Sequence, residues 1–207
     1  MPKALIPVAG RPVLEWQLEL LKKYEIRKLL LSTGHLADKI ENHLGNGARY
    51  GVDITYIKED SPMGSAGPLS LAKSHIRGTF LMLNVDTLLN ADIAGMYEFH
   101  KNHGSIATAL LATSSEPGRF GVFRVHGSRV VEFTEKPRHP KTNLINAGLC
   151  IFEPDALKYV PRKRFMIEEL FTRLVKRQQL CGFLHDGYAY DVGTPEGYER
   201  AVKEMRK

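Results

Sequence analysis

The spacing of apolar residues predicts alternating helices and strands over the first half of the chain. Apolar residues recur at helical intervals over residues 13–24, 38–44 and 93–100, and a further helix is predicted from about Pro68. Strands are predicted at residues 27–32, 52–57 and 79–86. The first of these strands contains three consecutive leucines, which is typical of a strand buried on both faces. This order predicts an α/β fold with a doubly wound, mostly parallel sheet.

From about residue 105 the pattern changes to short strands with little helix between them. Strand-like segments occupy residues 105–112, 120–125, 129–135 and 143–152. The sequence after residue 152 predicts a helix around Leu170 and a short strand pair around Leu184 and Tyr190. A final helix follows, which Thr194 caps and Pro195 begins. No repeat or long linker interrupts the chain. We interpret residues 1–207 as one domain, in which residues 105–207 add mixed strands to the same sheet or to an adjoining lobe.

Composition and charge argue against several classes of protein. The chain is 43% hydrophobic and 25% charged, as in ordinary soluble proteins, and no apolar run approaches the roughly 20 residues that a membrane span needs. The first residues lack the pattern of a secretory signal, so we expect a cytoplasmic protein with no membrane partner. The net charge of +6 comes from dispersed basic residues. We therefore expect no nucleic-acid partner, since phosphorylated small molecules explain the excess equally well.

The cysteines and histidines follow no pattern that indicates a metal site or a nucleophile. The spacing of Cys150 and Cys181 fits no metal motif, and we interpret both as buried core thiols. The eight histidines show no ligand spacing, and no nucleophile-elbow motif is present. Catalysis of the Ser/His/Asp type therefore has no support in the sequence.

Two aspartates are candidates for metal binding. Asp86 follows an apolar strand, and ligands of open α/β sheets bind beyond the carboxyl ends of such strands. A carboxylate there could hold Mg²⁺ against a phosphorylated substrate, or it could simply cap the following turn with Thr87. Asp191 ends the short strand GYAYD, and its alternative interpretation is a surface turn residue. If the two residues meet in space, they could share one metal ion.

Two further segments could bind a ligand. The loop MGSAGP places small residues before a helix, so that a ligand could approach its backbone N–H groups, although a simple connector explains it too. Glu135 and Lys136 close a predicted strand. They could bind sugar hydroxyls through the carboxylate and a phosphate through the ammonium, or form a solvated ion pair.

Seven segments taken together resemble one family of enzymes. In chain order they are PKALIPVAGRPVLEW, MGSAGPL, NVDTLL, FGV, FTEKP, INAGLCIF and YDVGTPEGYERA. They resemble the sugar-phosphate nucleotidyltransferases, especially the single-domain type that is similar to mannose-1-phosphate or heptose-1-phosphate guanylyltransferases. The resemblance implies a Rossmann-like fold of the nucleotide-diphospho-sugar transferase type. It also implies a nucleotide-binding half, residues 1–104, and a sugar-phosphate-binding half, residues 105–207.

The resemblance further implies a reaction and a set of site residues. A sugar 1-phosphate oxygen, with mannose 1-phosphate favoured, attacks the α-phosphorus of a nucleoside triphosphate, with GTP favoured, and pyrophosphate leaves. The implied roles are Mg²⁺ binding by Asp86 and Asp191, triphosphate contact by Lys3, sugar-phosphate contact by Lys136, nucleotide binding by Gly64, Ser65 and Ala66, and sugar binding by Gly121, Glu135, Asn146 and Gly148.

The chain departs from the family pattern at its start. Members normally begin with an apolar strand and a loop resembling GGxGTRLxPLT, and no GGxGTR-like run occurs in this sequence. We therefore expect an N-terminally shortened form, with the first strand of the sheet missing and its activity impaired. The alternative is a non-catalytic sugar-phosphate-binding or regulatory subunit that pairs with a full-length relative. A homo-oligomer is a further expectation.

Overall fold

A computed structural model describes residues 1–34 and 36–206. Within them the strands, in chain order, are β1 (Pro7–Val8), β2 (Arg11–Pro12), β3 (Lys28–Thr33), β4 (Asp53–Lys58), β5 (Phe80–Leu83), β6 (Thr87–Leu89), β7 (Ala107–Thr113), β8 (Gly121–His126), β9 (Arg129–Glu135), β10 (Leu144–Phe152), β11 (Leu180–Leu184) and β12 (Ala189–Asp191). The α-helices are α1 (Val13–Lys23), α2 (Ala37–Leu44), α3 (Leu69–Ala72), α4 (Ile93–His103), α5 (Ile167–Lys176) and α6 (Pro195–Glu204).

The chain divides into two compact units that are interleaved in sequence. The first unit comprises Met1–Pro62, Asn84–Ala91 and Gly187–Lys207, and the second comprises Met63–Leu83 and Asp92–Asp186. The sequence pattern instead changes once, near residue 105. The interpretation of residues 1–207 as a single functional domain stays a prediction.

The described residues of the first unit form three two-stranded sheets. Strands β3 and β4 are parallel, β6 and β12 are antiparallel, and β1 and β2 form a short hairpin. The helix predicted over residues 13–24 is confirmed as α1, whose Leu14 and Leu18 pack in one core cluster with Leu44, Val52 and Ile54. A second cluster joins Val8, Val13, Leu88, Val192 and Ala201.

Strand β3 differs from its prediction. The strand itself is confirmed, but it is not buried on both faces, because Leu30 is 39% exposed. Three consecutive apolar residues do not reveal how many neighbours a strand has. Side chains alternate along a strand, so Leu29 and Leu31 pack against the core cluster while Leu30 lies on the opposite, more exposed face.

The second unit is built on a six-stranded mixed sheet in the order β5-β10-β7-β11-β9-β8. Strand β11 runs parallel to β7, whereas β10 is antiparallel to β5, β7 and β8, and β9 is antiparallel to β8 and β11. The expected α/β fold with a mixed-strand part is confirmed. The expectation of a mostly parallel sheet is wrong, because among the described residues only β3 with β4 and β7 with β11 pair in parallel. The short strand pair predicted around Leu184 and Tyr190 is wrong, since β11 pairs with β7 and β9 while β12 pairs with β6.

Helix α5 covers this sheet through an aromatic core. Phe123 and Phe133 lie on one face of the β8–β9 hairpin and contact Phe171 of α5, with ring centroids 5.3 and 5.5 Å from it. Both cysteines are buried free thiols, as predicted, and burial raises the pKa of the Cys150 thiol. Over residues 1–34 and 36–206, no helix is both long and apolar enough to cross a membrane.

Candidate functional site

The first unit brings Asp86 and Asp191 together. In the antiparallel pair of β6 and β12, Asp191 lies opposite Thr87, the residue that follows Asp86. The Val192 N–H donates to the Asp86 carbonyl at 2.9 Å, which extends the pairing by one position. The sequence could not show that residues from such distant segments meet, because strand partners depend on tertiary structure. Their proximity makes a shared cation geometrically reasonable.

Lys3 joins this pair of carboxylates. Its Nζ donates to Asp86 Oδ2 at 2.8 Å. A single 3-10 turn over Lys3–Leu5 holds the residue in place, since Ala4 is buried in the core beside Leu14. The hydrogen bond and the charge of Asp86 raise the pKa of Lys3, and the charge of Asp191 adds to this effect. The ammonium therefore remains charged at neutral pH and neutralises part of the carboxylate charge.

Gly193 leaves the space into which these three side chains converge. A Cβ atom added there would lie 3.0 Å from both Lys3 Nζ and Asp191 Oδ1, and 3.4 Å from Asp86 Oδ2. The Gly193 N–H also donates to Asp191 Oδ1 at 2.8 Å, which orients that carboxylate. We name Lys3, Asp86, Asp191 and Gly193 the carboxylate cluster. The motif DVGT contained Gly193, but sequence reasoning gave it no role.

The donor set of the carboxylate cluster suits Mg²⁺. No group of three or more His, Cys, Asp or Glu side chains that could hold a metal occurs in the described residues. Mg²⁺ does not require one, because it is usually bound through one or two carboxylates together with substrate phosphates and water. Asp86 and Asp191 fit that pattern, and the Lys3 ammonium lies beside them.

Gln17 fixes the loop that carries Asp86. Its side chain is buried in α1, and Nε2 donates to the carbonyl oxygens of Asn84 and Thr87 at 2.8 and 2.7 Å. One amide group thus forms hydrogen bonds to the backbone on both sides of Asp86. Sequence reasoning missed this residue, because a glutamine within an amphipathic helix looks like a solvated position.

In the second unit, the loop MGSAGP packs against the start of α5. The N–H groups of Ala66 and Gly67 both donate to the Phe165 carbonyl, at 3.0 and 2.9 Å. Ala66 is fully buried. These two backbone donors are therefore used within the protein. The expectation that a ligand could bind the N–H groups of this loop is wrong for Ala66 and Gly67. A role for Ala66 in nucleotide binding stays a prediction.

Gly64 and Ser65 are held by the same segment. Gly64 has φ +76°, and an added Cβ would lie 2.7 Å from Met166 Sδ and 2.8 Å from the Phe165 carbonyl oxygen. Only glycine fits this position without displacing its neighbours. Ser65 is exposed, and its Oγ accepts a hydrogen bond from the Ile167 N–H at 2.8 Å. Ser65 therefore remains accessible to a ligand.

Gly121 and Glu135 lie opposite one another in the β8–β9 hairpin. An added Cβ at Gly121 would lie 2.6 Å from the Phe133 ring and 2.9 Å from Glu135 Oε2, so glycine allows both side chains to pack closely against this strand. Lys136 follows with φ 43°, a left-handed conformation that is strained for a residue with a side chain. Its Nζ lies 3.7 Å from Glu135 Oε1. Strain of this kind often marks functional positions.

Asn146 and Gly148 lie at an irregularity in β10. The register between β10 and β7 shifts between Asn146 and Cys150. Gly148 has φ +84°, and its N–H donates to Asn146 Oδ1 at 3.1 Å. A bulge of this kind redirects the side chains next to it and is common beside functional sites. The sequence motif INAG gave no indication of a bulge.

Glu168 is a second carboxylate near Glu135 that sequence reasoning missed. Burial and the charge of Glu168 raise the pKa of Glu135, and Lys136 offsets this only in part. Glu168 Oε2 is buried, and within the described chain it has no hydrogen-bond partner. A glutamate in the first turn of a helix is ordinarily a solvated residue, so no sequence pattern could have singled it out. The pair offers acceptors for ligand hydroxyl groups.

Comparison with known proteins identifies the family. The profile of the Nucleotidyl transferase family matches residues 1–207, and the chain therefore belongs to this family. The resemblance to sugar-phosphate nucleotidyltransferases is thereby confirmed at the level of the family.

Two curated proteins are similar to this chain over nearly its whole length. Mannose-1-phosphate guanylyltransferase catalytic subunit beta of Drosophila pseudoobscura pseudoobscura is 33% identical over 203 residues, which cover 95% of this chain and 55% of that protein. Mannose-1-phosphate guanyltransferase beta-B of Xenopus laevis is 31% identical over 205 residues, which cover 96% of this chain and 57% of that protein. The chain thus spans a little over half the length of these curated relatives.

A solved structure shows the same fold. The crystal structure of a Bacillus anthracis protein assigned as a glucose-1-phosphate thymidylyltransferase, in complex with a sucrose, matches with a TM-score of 0.90 at 27% identity. The match covers 99% of this chain and 87% of that chain. The nucleotide-diphospho-sugar transferase type of fold is confirmed.

Proposed function

We propose that this protein transfers a nucleoside monophosphate from a nucleoside triphosphate, with GTP favoured, to a sugar 1-phosphate, with mannose 1-phosphate favoured. The observation that carries the proposal is the carboxylate cluster, where Asp86, Asp191 and Lys3 converge on Gly193. Family membership and the names of the similar curated proteins support the reaction class and the choice of substrates.

In this proposal, the residues of the first unit handle the triphosphate. Lys3 exchanges its hydrogen bond to Asp86 for phosphate oxygens, and Asp86 and Asp191 hold Mg²⁺. When bound there, Mg²⁺ would supply neutralisation of phosphate charge. Gly193 keeps the space beside the carboxylates open. Because phosphoryl transfer requires little covalent chemistry from a protein, positioning and charge neutralisation by these groups account for catalysis.

The residues of the second unit handle the sugar phosphate and the base. Glu135 and Glu168 accept hydrogen bonds from sugar hydroxyl groups, and Lys136 binds the sugar phosphate. Gly121, Asn146 and Gly148 shape the space beside them, and the loop of Gly64, Ser65 and Ala66 contacts the base through its exposed Ser65. The unpaired buried oxygen of Glu168 supports this assignment, because a sugar hydroxyl would supply the hydrogen bond that it lacks.

The test is pyrophosphate release by the purified chain with GTP, mannose 1-phosphate and MgCl₂, compared with ATP, UTP and dTTP and with glucose 1-phosphate. We expect Asp191→Asn to lower kcat/KM at least about a hundredfold, in line with the loss of a charge-stabilising group. Asp53→Asn, at an exposed position of β4, is the matched control and should leave the rate unchanged. Equal rates for Asp191→Asn and the unmodified chain would overturn the proposed role of the cluster.

Calorimetry with each substrate separates the possible causes of a silent assay. Binding of mannose 1-phosphate without binding of any nucleoside triphosphate would instead favour a non-catalytic sugar-phosphate-binding subunit. Binding of neither substrate would contradict both assignments. We further propose a cytoplasmic location and a homo-oligomer or pairing with a relative, and light scattering on the purified chain tests self-association.

A further inference from the structure

A cavity of about 230 Å³ lies in the second unit, on the β8–β9 hairpin. Its lining includes Arg124 and Glu132, which are cross-strand neighbours, and Thr134, two positions further along β9. Because side chains alternate along a strand, these residues face away from Gly121 and Glu135, which are themselves cross-strand partners. The cavity, which we name the hairpin cavity, is therefore separate from the proposed sugar-binding residues.

The charged groups of the hairpin cavity are unbalanced. Glu132 is bridged by two cations, with Arg124 Nε 2.8 Å from one carboxylate oxygen and Lys141 Nζ 3.3 Å from the other. Hydrogen bonds from these cations lower the pKa of Glu132, so that it is ionised at neutral pH. One carboxylate thus faces two permanent positive charges, and the imidazole of His139 also lines the cavity. A positive charge remains for an anion to neutralise.

The size and the donors of the hairpin cavity select the kind of anion. Its volume of about 230 Å³ is sufficient for a phosphate or a pyrophosphate. The guanidinium of Arg124 and the ammonium of Lys141 donate charge-assisted hydrogen bonds, which tetrahedral oxyanions accept well. The Thr134 hydroxyl adds a neutral donor in the same lining.

We propose that the hairpin cavity is a binding site for a small phosphate-type oxyanion, held by Arg124 and Lys141 in competition with Glu132. Glu132 binds Arg124 and Lys141 when the anion is absent. When the anion binds, some of the hydrogen bonds from these cations transfer from Glu132 to the anion. The site is independent of the proposed reaction, since it uses none of the residues assigned to nucleotide or sugar phosphate.

The test is calorimetric titration of the purified chain with inorganic phosphate and with pyrophosphate. It is performed in a Lys3→Ala/Lys136→Ala background, which removes the two proposed substrate-phosphate contacts. We expect saturable binding to persist in that background, with amide NMR shifts at Thr134 and Lys141. Arg124→Gln and Lys141→Gln should each weaken binding at least fivefold.

The decisive variant is Glu132→Gln, which should strengthen anion binding severalfold because it removes the competing carboxylate. An increase in affinity cannot arise from a misfolded protein. Glu199→Gln and Arg200→Gln, at exposed positions of α6, are matched controls for the loss of an acid and of a base. Loss of binding in the Lys3→Ala/Lys136→Ala background, or affinity unchanged by Arg124→Gln, Lys141→Gln and Glu132→Gln, would overturn the proposal.

Discussion

Lys3 and Asp86 form an ion pair between residues that are 83 positions apart, with 2.8 Å between Nζ and Oδ2. The pair is partly open to solvent, since the Lys3 side chain is 62% exposed and that of Asp86 is 23% exposed. The ammonium is therefore both fixed and accessible, as a group that exchanges a carboxylate for a phosphate must be. The first prediction concerns this exchange.

Asp86→Asn should lower the pKa of Lys3 towards its ordinary value of 10.5, and Asp191→Asn should lower it less, because Asp86 supplies the dominant effect. NMR titration of the lysine side chains measures both changes. The contribution of Lys3 to stability is complete between neutral pH and pH 10.5, and it is lost as the pH rises through the raised pKa. An unchanged Lys3 pKa in Asp86→Asn would contradict the ion pair.

Gly193→Ala should impair magnesium-dependent nucleotide binding without unfolding the protein. The new methyl group would meet Lys3 Nζ and Asp191 Oδ1 at 3.0 Å, and Lys3 can move aside because its side chain is flexible. We expect a melting temperature near that of the unmodified chain and at least a tenfold loss of affinity for Mg²⁺-GTP, measured by calorimetry. Gly78→Ala, where an added Cβ has open space, is the control and should change neither quantity.

Gln17→Leu should destabilise the first unit. The substitution leaves the Thr87 carbonyl without its side-chain donor, while the Asn84 carbonyl keeps the N–H of Thr87. One unsatisfied buried polar group costs about 1–3 kcal/mol, and we expect the free energy of unfolding to fall by a similar amount. Urea denaturation measures the loss. The exposed Glu19→Leu in the same helix should cost far less, and a similar cost for both variants would contradict this role of Gln17.

Glu135→Gln should stabilise the protein at neutral pH. The native state raises the pKa of Glu135 through burial and the charge of Glu168, so the free energy of unfolding falls as the pH rises from 4.5 through the raised pKa. The gain in melting temperature should be present at pH 7 and absent at pH 4. Glu132, whose pKa is lowered by Arg124 and Lys141, gives the opposite expectation, and Glu132→Gln should not stabilise.

Lys136→Gly should be more stable than Lys136→Ala. Only glycine adopts φ 43° without steric cost, and a left-handed conformation costs other residues roughly 1–2 kcal/mol. Both variants lose the ammonium, so sugar-phosphate binding should fall equally. For Lys39, which lies within α2, urea denaturation should show the reverse order of stability. Alanine is more favourable than glycine inside a helix by about 1 kcal/mol. The same order at both positions would argue against strain at Lys136.

Local pattern predicted most helices and strands of this chain, because each buries a face with its own periodicity. The helix over residues 13–24 and the capped helix from Pro195 are examples, and Thr194 Oγ1 indeed accepts from the Gly197 N–H at 3.2 Å. The exposure of Leu30 and the separate partners of β11 and β12 were not predictable. They depend on which strands lie alongside, and no local pattern encodes that.

Some residues of the candidate sites could likewise be predicted from the local sequence, and others could not. Asp86 and Asp191 could be singled out as residues at the ends of strands, but only tertiary structure shows that Gly193 and Lys3 join them. Gln17 and Glu168 could not be distinguished from solvated helix residues, because what sets them apart is burial against distant segments.

The interleaving of the two units has a consequence for how the protein is made. The first unit needs its last segment, whose Tyr198 hydroxyl donates to the Pro7 carbonyl at 2.9 Å. At about 5–20 residues per second, a ribosome reaches Asp191 roughly 10–40 s after Lys3. The second unit ends at Asp186 and is complete before that segment emerges. The carboxylate cluster is therefore assembled only after the second unit has been synthesised, and a nascent chain that stalls before Asp191 would carry Lys3 and Asp86 without it.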